Sequence, residues 1–176
     1  MKTKEFADSI LNSIQFAIDA HIHNPKKQSD AVRFWDRNTP YVVHPIWCAM
    51  TLLTETTLDE SIRFDGFAAL LWHDVLEDTQ LDLPETTPNN VKKYISDMTF
   101  MSFSDEIEGI WKRDKIIRLF KLYDKTSNLL DGTWMKDDKW NRYVDFTNRL
   151  NEDVLSNYGE LNITKIATSV CVKRGL

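Results

Sequence analysis

Residues 67–79 read FAALLWHDVLEDT, and this segment decides the fold. Its apolar first half predicts a buried central helix, which we place over about residues 59–78. The helix would carry His73 and Asp74 inside it, with Glu77 and Asp78 one turn later. Burying an imidazole and a carboxylate is costly unless they are paired or bind a metal ion. The segment thus predicts either a hydrogen-bonded core pair with a solvated helix end, or a metal site.

Two further segments carry the same chemistry in apolar surroundings. His44 opens a predicted helix in YVVHPI, and Asp124 lies in KLYDK with Asn128 one turn further on. Two imidazoles and two carboxylates suit Mn, Fe or Zn better than Ca, with Co and Ni also possible. A divalent ion with open positions lowers the pKa of a bound water toward about 7, which supplies a nucleophile at neutral pH.

The rest of the chain has the pattern of an all-helical protein. Apolar periodicity predicts further helices over about residues 3–22, 45–56, 88–97, 113–130, 138–157 and 162–173. Thr87 and Asn162 are the expected N-caps of two of them, while Gly132 and Gly159 are expected to end two others. Residues 24–40 are predicted to be a polar loop, and residues 98–112 fit no element clearly. With no strand pattern, repeat or linker, we expect one all-α domain over residues 1–176.

Composition limits the classes of partner. The net charge of −5 and the pI of about 5.4 disfavour binding of a nucleic-acid polymer, although a small phosphorylated ligand remains compatible. No apolar run approaches the roughly 20 residues that cross a bilayer, and no signal-peptide pattern is present. Two cysteines do not make a disulfide framework. We therefore expect a cytoplasmic protein that contacts no membrane, and an oligomer is compatible with the sequence.

Taken together, the motifs resemble the HD superfamily of metal-dependent phosphohydrolases. The segments PYVVHP, ALLWHDVLEDT and KLYDKTSN look like the PYxxHP, ALLHDVxEDT and KLADRxxN segments of the alarmone hydrolases, which include the RelA/SpoT proteins and small stand-alone enzymes. The resemblance covers roughly residues 16–131 and would make residues 59–78 the buried helix that carries the HD pair.

The resemblance implies a function and a set of site residues. The family binds one Mn²⁺, here through His44, His73, Asp74 and Asp124, and removes pyrophosphate from the 3′ position of a guanosine polyphosphate. The acidic pair that orients or activates water matches Glu77 and Asp78, and a substrate contact near the metal matches Asn128. Alternatives are an HD nucleotidase or (deoxy)nucleoside triphosphatase, or a non-catalytic nucleotide-binding protein.

The nucleotide pocket departs from the family pattern. Trp35-Asp36 stands where the family has Arg-Lys, although Arg33 and Arg37 flank it and could hold phosphates while Trp35 stacks on a base. Asp131 replaces a Thr and, when ionised, could accept hydrogen bonds from guanine or adenine. Ser127 also departs from the pattern, since it stands where the family has a His. Each remaining candidate has an alternative: Lys121 and Lys125 could bind phosphate or lie on a solvated helix face, His21 and His23 could be extra ligands or helix-end histidines, and Cys48 could face the metal or the core.

Overall fold

The computed structural model describes residues 3–172, whose regular structure is helical. The α-helices of this range are α1 (Thr3–Ile18), α2 (Val43–Leu53), α3 (Glu60–Trp72), α4 (Val75–Asp78), α5 (Asn89–Met98), α6 (Phe103–Gly109), α7 (Lys115–Leu130), α8 (Asp137–Tyr158) and α9 (Asn162–Val172). A π-helical turn, Asp19–His23, continues α1, and 3-10 turns span Gln28–Ala31, Ile110–Lys112 and Gly132–Trp134. Two isolated bridges are the only β-type pairing in residues 3–172, so the predicted all-α class is confirmed. Lys173, the predicted end of the last helix, lies outside the described residues.

The predicted central helix is broken at the HD pair. Helix α3 ends at Trp72, and α4 begins at Val75 after a turn formed by His73 and Asp74. Asp74 has φ −96° and ψ −2°, a sparsely populated backbone region in which many active-site residues lie. Its carbonyl accepts the backbone N–H groups of Glu77 and Asp78 and so begins a new helical turn. The prediction of one unbroken helix was wrong because the apolar pattern continues through the junction.

Helix α3 is nevertheless the buried centre of the molecule, as predicted. It packs against α2, α5 and α7, and its Leu70 and Leu71 are fully buried. At Gly66 the neighbouring helices come so close that a Cβ atom would lie 2.6 Å from both Leu52 and Phe120. This close packing fixes α3 against α2 and α7, the helices that carry the other predicted ligands.

Several predicted helix ends move by a few residues. Pro88, rather than Thr87, is the residue before α5, and the Thr87 hydroxyl has no hydrogen-bond partner within the described chain. The unassigned stretch contains α6, whose first turn is capped by the Ser102 hydroxyl accepting from the Asp105 N–H. Helix α7 ends one residue before Asp131, and Gly132 instead begins a 3-10 turn. Gly159 ends α8 with φ 77°, as expected.

The cap of α9 comes from a distant carboxylate. Buried Glu55 accepts the backbone N–H groups of Asn162 and Ile163, each at 2.9 Å, as well as the Tyr123 hydroxyl at 2.9 Å. The Asn162 side chain points back to Thr54 instead of capping its own helix. The predicted Asn162 cap is therefore wrong, because sequence proximity cannot reveal a cap supplied from the end of α2.

None of the helices within residues 3–172 combines the length and the apolar character that a bilayer crossing requires.

Candidate metal centre

Four predicted ligands from three parts of the fold meet in one buried cluster. His44 comes from α2, His73 and Asp74 from the junction of α3 and α4, and Asp124 from α7. The His44 Nε2 atom lies 3.5 Å from Asp124 Oδ1 and 3.7 Å from Asp74 Oδ2. The His73 Nε2 atom lies 3.0 Å from Asp74 Oδ2 and 3.9 Å from Asp124 Oδ1. Ligand atoms of His44, His73 and Asp124 all lie within 4.8 Å of one another, close enough to share one metal ion.

Hydrogen bonds on the far side of each imidazole orient the two rings. The His73 Nδ1 atom lies 2.7 Å from the Leu70 carbonyl, which only accepts, so Nδ1 carries the proton and Nε2 faces the carboxylates. The His44 Nδ1 atom lies 2.8 Å from the Ser127 hydroxyl. Neither Nε2 atom has a hydrogen-bond partner in the described part of the chain. Two unpartnered nitrogens aimed at two carboxylates fit a divalent metal ion bound by nitrogen and oxygen.

The charges and pKa values of the cluster also favour the binding of a cation. Burial lowers the pKa of His44, whereas at His73 the Asp74 and Asp124 carboxylates outweigh burial and raise the pKa to about 9. Burial opposes ionisation of Asp74, but His73 and His44 bring its pKa below the usual value. The Asp124 pKa is also well below the usual value, because Lys125 and Lys121 overcome the effect of burial. Without a metal ion, the two carboxylates therefore favour a proton on the His73 imidazole, at the position that a metal ion would take.

The carboxylates are held by residues outside the predicted ligand set. The Tyr41 hydroxyl donates to Asp74 Oδ2 at 2.6 Å. Asp124 Oδ2 lies 3.1 Å from Lys121 Nζ and 3.2 Å from Lys125 Nζ, and Asn128 Nδ2 donates to Oδ1 at 2.7 Å. Both lysines are buried, so the alternative that they lie on a solvated helix face is wrong.

Glu77 and Asp78 line a cleft beside the cluster, together with Asn128, Lys121 and Lys125. We call this space, of about 290 Å³, the acidic cleft. Burial and the charge of Asp74 raise the pKa of both side chains, that of Asp78 to about 7. Lys26 donates to the Leu76 and Glu77 carbonyls and so holds the end of α4 in place. The acidic pair thus lies next to the predicted ligands, and the pKa of Asp78 suits proton exchange at neutral pH.

A second cavity opens on the other side of His44. This tryptophan cavity, of about 390 Å³, is lined by Trp35, Trp47, Val43, Leu130, Arg33, Asp131, Thr39, Thr133, Ser127 and His44. Helix α2 supplies His44 and, one turn later, Trp47, while α7 supplies Asp124 and, further along, Ser127 and Leu130. Both helices thus connect the predicted ligands to the wall of this cavity.

Comparison with known proteins identifies the architecture. No protein-family model matches the sequence, and no curated protein does. Among solved structures, a metazoan ortholog of SpoT, described as hydrolysing ppGpp and taking part in starvation responses, aligns with a TM-score of 0.68 and 21% identity. The alignment covers 95% of this chain and 96% of that chain. The chain has the fold of this SpoT ortholog. The helical fold expected from the motifs is therefore confirmed.

In this SpoT-ortholog fold, not all of the residues predicted to bind a nucleotide lie at the cluster or at its cavities. Trp35 lines the tryptophan cavity with half of its surface exposed. Arg33 lines the tryptophan cavity, and its Nε donates to Asp131 Oδ2 at 2.5 Å. Its guanidinium also donates at 3.1 Å to Asn128 Oδ1, whose side chain lines the acidic cleft. Asp131 is therefore paired with Arg33 rather than free for a base. Arg37 stacks on Phe34 and lines none of the cavities described, so the structure does not bring it to the cluster.

The other candidate residues, His21, His23 and Cys48, differ in burial and in their position relative to the cluster. His23 is exposed, whereas His21 is fully buried beside Tyr41, with a ring separation of 5.1 Å. Burial lowers the pKa of His21 to about 4, so it is a neutral imidazole near the cluster. Cys48 is buried in the core, with its Sγ atom 4.0 Å from His44 Nδ1, the nitrogen that faces away from the carboxylates.

Sequence reasoning missed four contributors to the site. Tyr41 and Ser127 lie inside the quoted motifs. Their hydroxyl groups were a signal, because a hydroxyl group can hydrogen-bond to a neighbouring ligand, as both do here. Trp47 lies three residues after His44, where helical spacing could have placed it. Glu106 contacts both lysines from the unassigned stretch, where only the Ser102 and Asp105 capping pattern signalled a helix.

Proposed function

We propose that this protein is a metal-dependent phosphohydrolase of the HD type. The observation that carries the proposal is the convergence of the unpartnered His44 and His73 Nε2 atoms on the Asp74 and Asp124 carboxylates. These nitrogens lie 3.0–3.9 Å from the carboxylate oxygens without forming a hydrogen bond, an arrangement that a metal ion between them would satisfy. The nearby acidic cleft gives such a site a place for substrate and water.

His44, His73, Asp74 and Asp124 would hold the ion. Their nitrogen and oxygen donors suit Mn, Fe or Zn, with Co or Ni as further alternatives, and the resemblance to the HD family favours Mn²⁺. When bound, such an ion polarises a phosphoryl oxygen and lowers the pKa of water toward about 7. Glu77 and Asp78 would accept and return the proton, since a carboxyl group with a pKa of about 7 exchanges protons at neutral pH. Asn128 links Asp124 to Arg33 and would hold the substrate against the cluster.

The proposed substrate is a purine nucleotide with at least two phosphates. The tryptophan cavity offers aromatic and aliphatic walls for a base, and Trp35 would stack on it. Arg33 has further N–H groups for a phosphate, and Lys121 and Lys125 line the acidic cleft. The solved SpoT ortholog hydrolyses ppGpp, so a guanosine polyphosphate is the favoured substrate, with its 3′-pyrophosphate as the group released.

One panel of assays tests this proposal. Purified protein loaded with Mn²⁺ is incubated with guanosine and adenosine nucleotides that carry phosphates at the 5′ position, the 3′ position or both, and released phosphate and pyrophosphate are measured. We expect pyrophosphate from the 3′-diphosphorylated guanosine nucleotide. Release from 5′-nucleotides alone would instead indicate the nucleotidase or triphosphatase alternative. A metal-loaded protein that hydrolyses none of them would contradict the proposal.

We further propose that the chain acts as one domain in the cytoplasm. Cys48 and Cys171 are both free thiols, which suits a reducing compartment. The net charge of −5 argues against a nucleic-acid polymer as partner.

A further inference from the structure

Glu106 is a buried carboxylate that the proposed reaction leaves without a role. It lies on α6 with 5% of its surface exposed and faces α7. Its Oε2 atom accepts from Lys125 Nζ at 2.8 Å, and its Oε1 atom lies 3.3 Å from Lys121 Nζ. A carboxylate is seldom buried this deeply unless it is paired, and here it pairs with two cations at once.

The same two lysines also hold Asp124. Both ammonium groups lie close to Asp124 Oδ2, whereas Oδ1 faces the His44 and His73 imidazoles. The two oxygens of Asp124 are therefore divided between the lysines and the metal centre. Glu106 and Asp124 together carry two negative charges against the two positive charges of the lysines.

This balance matters for a metal ion. If Glu106 were neutral, two buried ammonium groups would depend on Asp124 alone and would draw its charge away from the metal. They would also repel a divalent cation a few ångströms away, where charges interact strongly at low effective dielectric. Loss of a group that supports a metal ligand typically lowers metal affinity by about 10- to 100-fold.

We propose that Glu106 is a positioning residue for the metal centre. It neutralises Lys121 and Lys125, which keeps Asp124 Oδ1 available to the ion and lets the site bind its metal tightly. This inference rests on the metal centre of the proposed function but not on any substrate.

The test is Mn²⁺ affinity, measured by calorimetric titration of metal-free protein. Glu106→Gln keeps the shape of the side chain and removes its charge, so we expect metal affinity to fall about 10- to 100-fold. Lys125→Met has one buried cation fewer beside Asp124, so its affinity should exceed that of the wild type. The double variant Glu106→Gln/Lys125→Met restores the charge balance and should return to within about threefold of the wild type.

The outcomes separate positioning from a structural role. A lower unfolding temperature of Glu106→Gln with unchanged metal affinity would overturn the proposal, as would a double variant that binds metal no better than Glu106→Gln. If Glu106→Gln does not fold, Lys125→Met must bind metal more tightly than the double variant for the proposal to stand. A wild type that binds metal but hydrolyses no nucleotide would contradict the proposed function alone, whereas one that binds no metal would contradict both.

Discussion

At the scale of single residues, the side chains around the cluster use different atoms for structural contacts and for the metal centre. His44 and His73 each use Nδ1 for a structural contact and keep Nε2 for the centre. Asp124 divides its two oxygens in the same way. Glu77 and Asp78 lie beside these ligands, and their raised pKa values come from burial and from Asp74. Under the proposed function, separate substitutions should therefore disable metal binding and proton transfer one at a time.

Glu77→Gln should keep bound metal but lower kcat by about 10²- to 10⁴-fold, the usual size of a general acid–base contribution. Steady-state kinetics together with metal analysis of the purified variant provides the measurement. Glu85→Gln, a change at an exposed carboxylate in the segment between α4 and α5, is the matched control and should leave both values unchanged. Full activity of Glu77→Gln would leave Glu77 as a helix-end charge only.

Trp35→Ala should raise KM for the nucleotide by about 5- to 150-fold with metal content intact, because stacking on a base contributes about 1–3 kcal/mol. Trp35→Phe retains an aromatic face and should stay near the wild-type KM. The two variants are compared by initial-rate kinetics over the nucleotide panel. Equal KM values for wild type and Trp35→Ala would remove Trp35 from the binding site.

At the scale of helices, the sequence was most informative where apolar periodicity was strong. It predicted α7 and α8 to within a few residues, and it predicted α3 as the buried centre. It could not predict the break at His73 and Asp74, because Val75 and Leu76 continue the apolar pattern of α3 beyond the junction. It also missed α6, since its short amphipathic pattern is weak and its Glu106 is buried by pairing with lysines rather than by apolar contacts.

The support of α9 by Glu55 gives a prediction for one helix. Glu55→Gln exchanges one acceptor oxygen for a donor, so a buried N–H of α9 or the Tyr123 hydroxyl loses its partner. We expect the free energy of unfolding to fall by about 1–3 kcal/mol. Urea denaturation measures this loss, and hydrogen exchange should show faster exchange in α9.

Thr54→Ala is the control, because the Thr54 hydroxyl makes only exposed hydrogen bonds, with the Asn162 side chain and the Thr51 carbonyl, and the change should cost less than about 0.5 kcal/mol. Equal losses in both variants would mean that Glu55 does not hold α9 specifically.

At the scale of the whole molecule, the metal centre joins α2, the α3–α4 junction and α7. Because the ion would bind only the folded arrangement, it should stabilise the entire fold. A free metal concentration of a hundred times Kd adds about 2.7 kcal/mol, which corresponds to a rise in Tm of roughly 5–11 °C for a chain of this size.

Thermal unfolding with Mn²⁺ and with a chelator measures this effect. Wild type should show the shift, whereas His73→Ala and Asp124→Ala should not, because each lacks one ligand and should retain no metal. A metal-dependent shift of equal size in these variants would place the ion elsewhere.

The nucleotide pocket was the least predictable part of the site. The four proposed ligands and the acidic pair come from short motifs, which is why the sequence could single them out. The proposed pocket instead depends on long-range pairing, such as that of Arg33 with Asp131, and on the loop of residues 24–40. Asp36 ties this loop by accepting from Asn38 and Thr39, and periodicity carries no information about such a turn.

Helices α2 and α7 each present a ligand of the centre and, further along the same helix, a wall of the tryptophan cavity. One turn of helix rises about 5.4 Å and cannot stretch without losing its hydrogen bonds. Under the proposed function, the reach from the base to the reacting phosphorus is thus fixed by helix geometry, not by loop flexibility. The enzyme would select nucleotides by the distance between the base and the phosphorus. A phosphate attached directly to the ribose would lie within reach of the metal centre, and the end of a long phosphate chain would lie beyond it. Inserting two residues between His44 and Trp47 would place their side chains about 140° apart around α2 and abolish that selection.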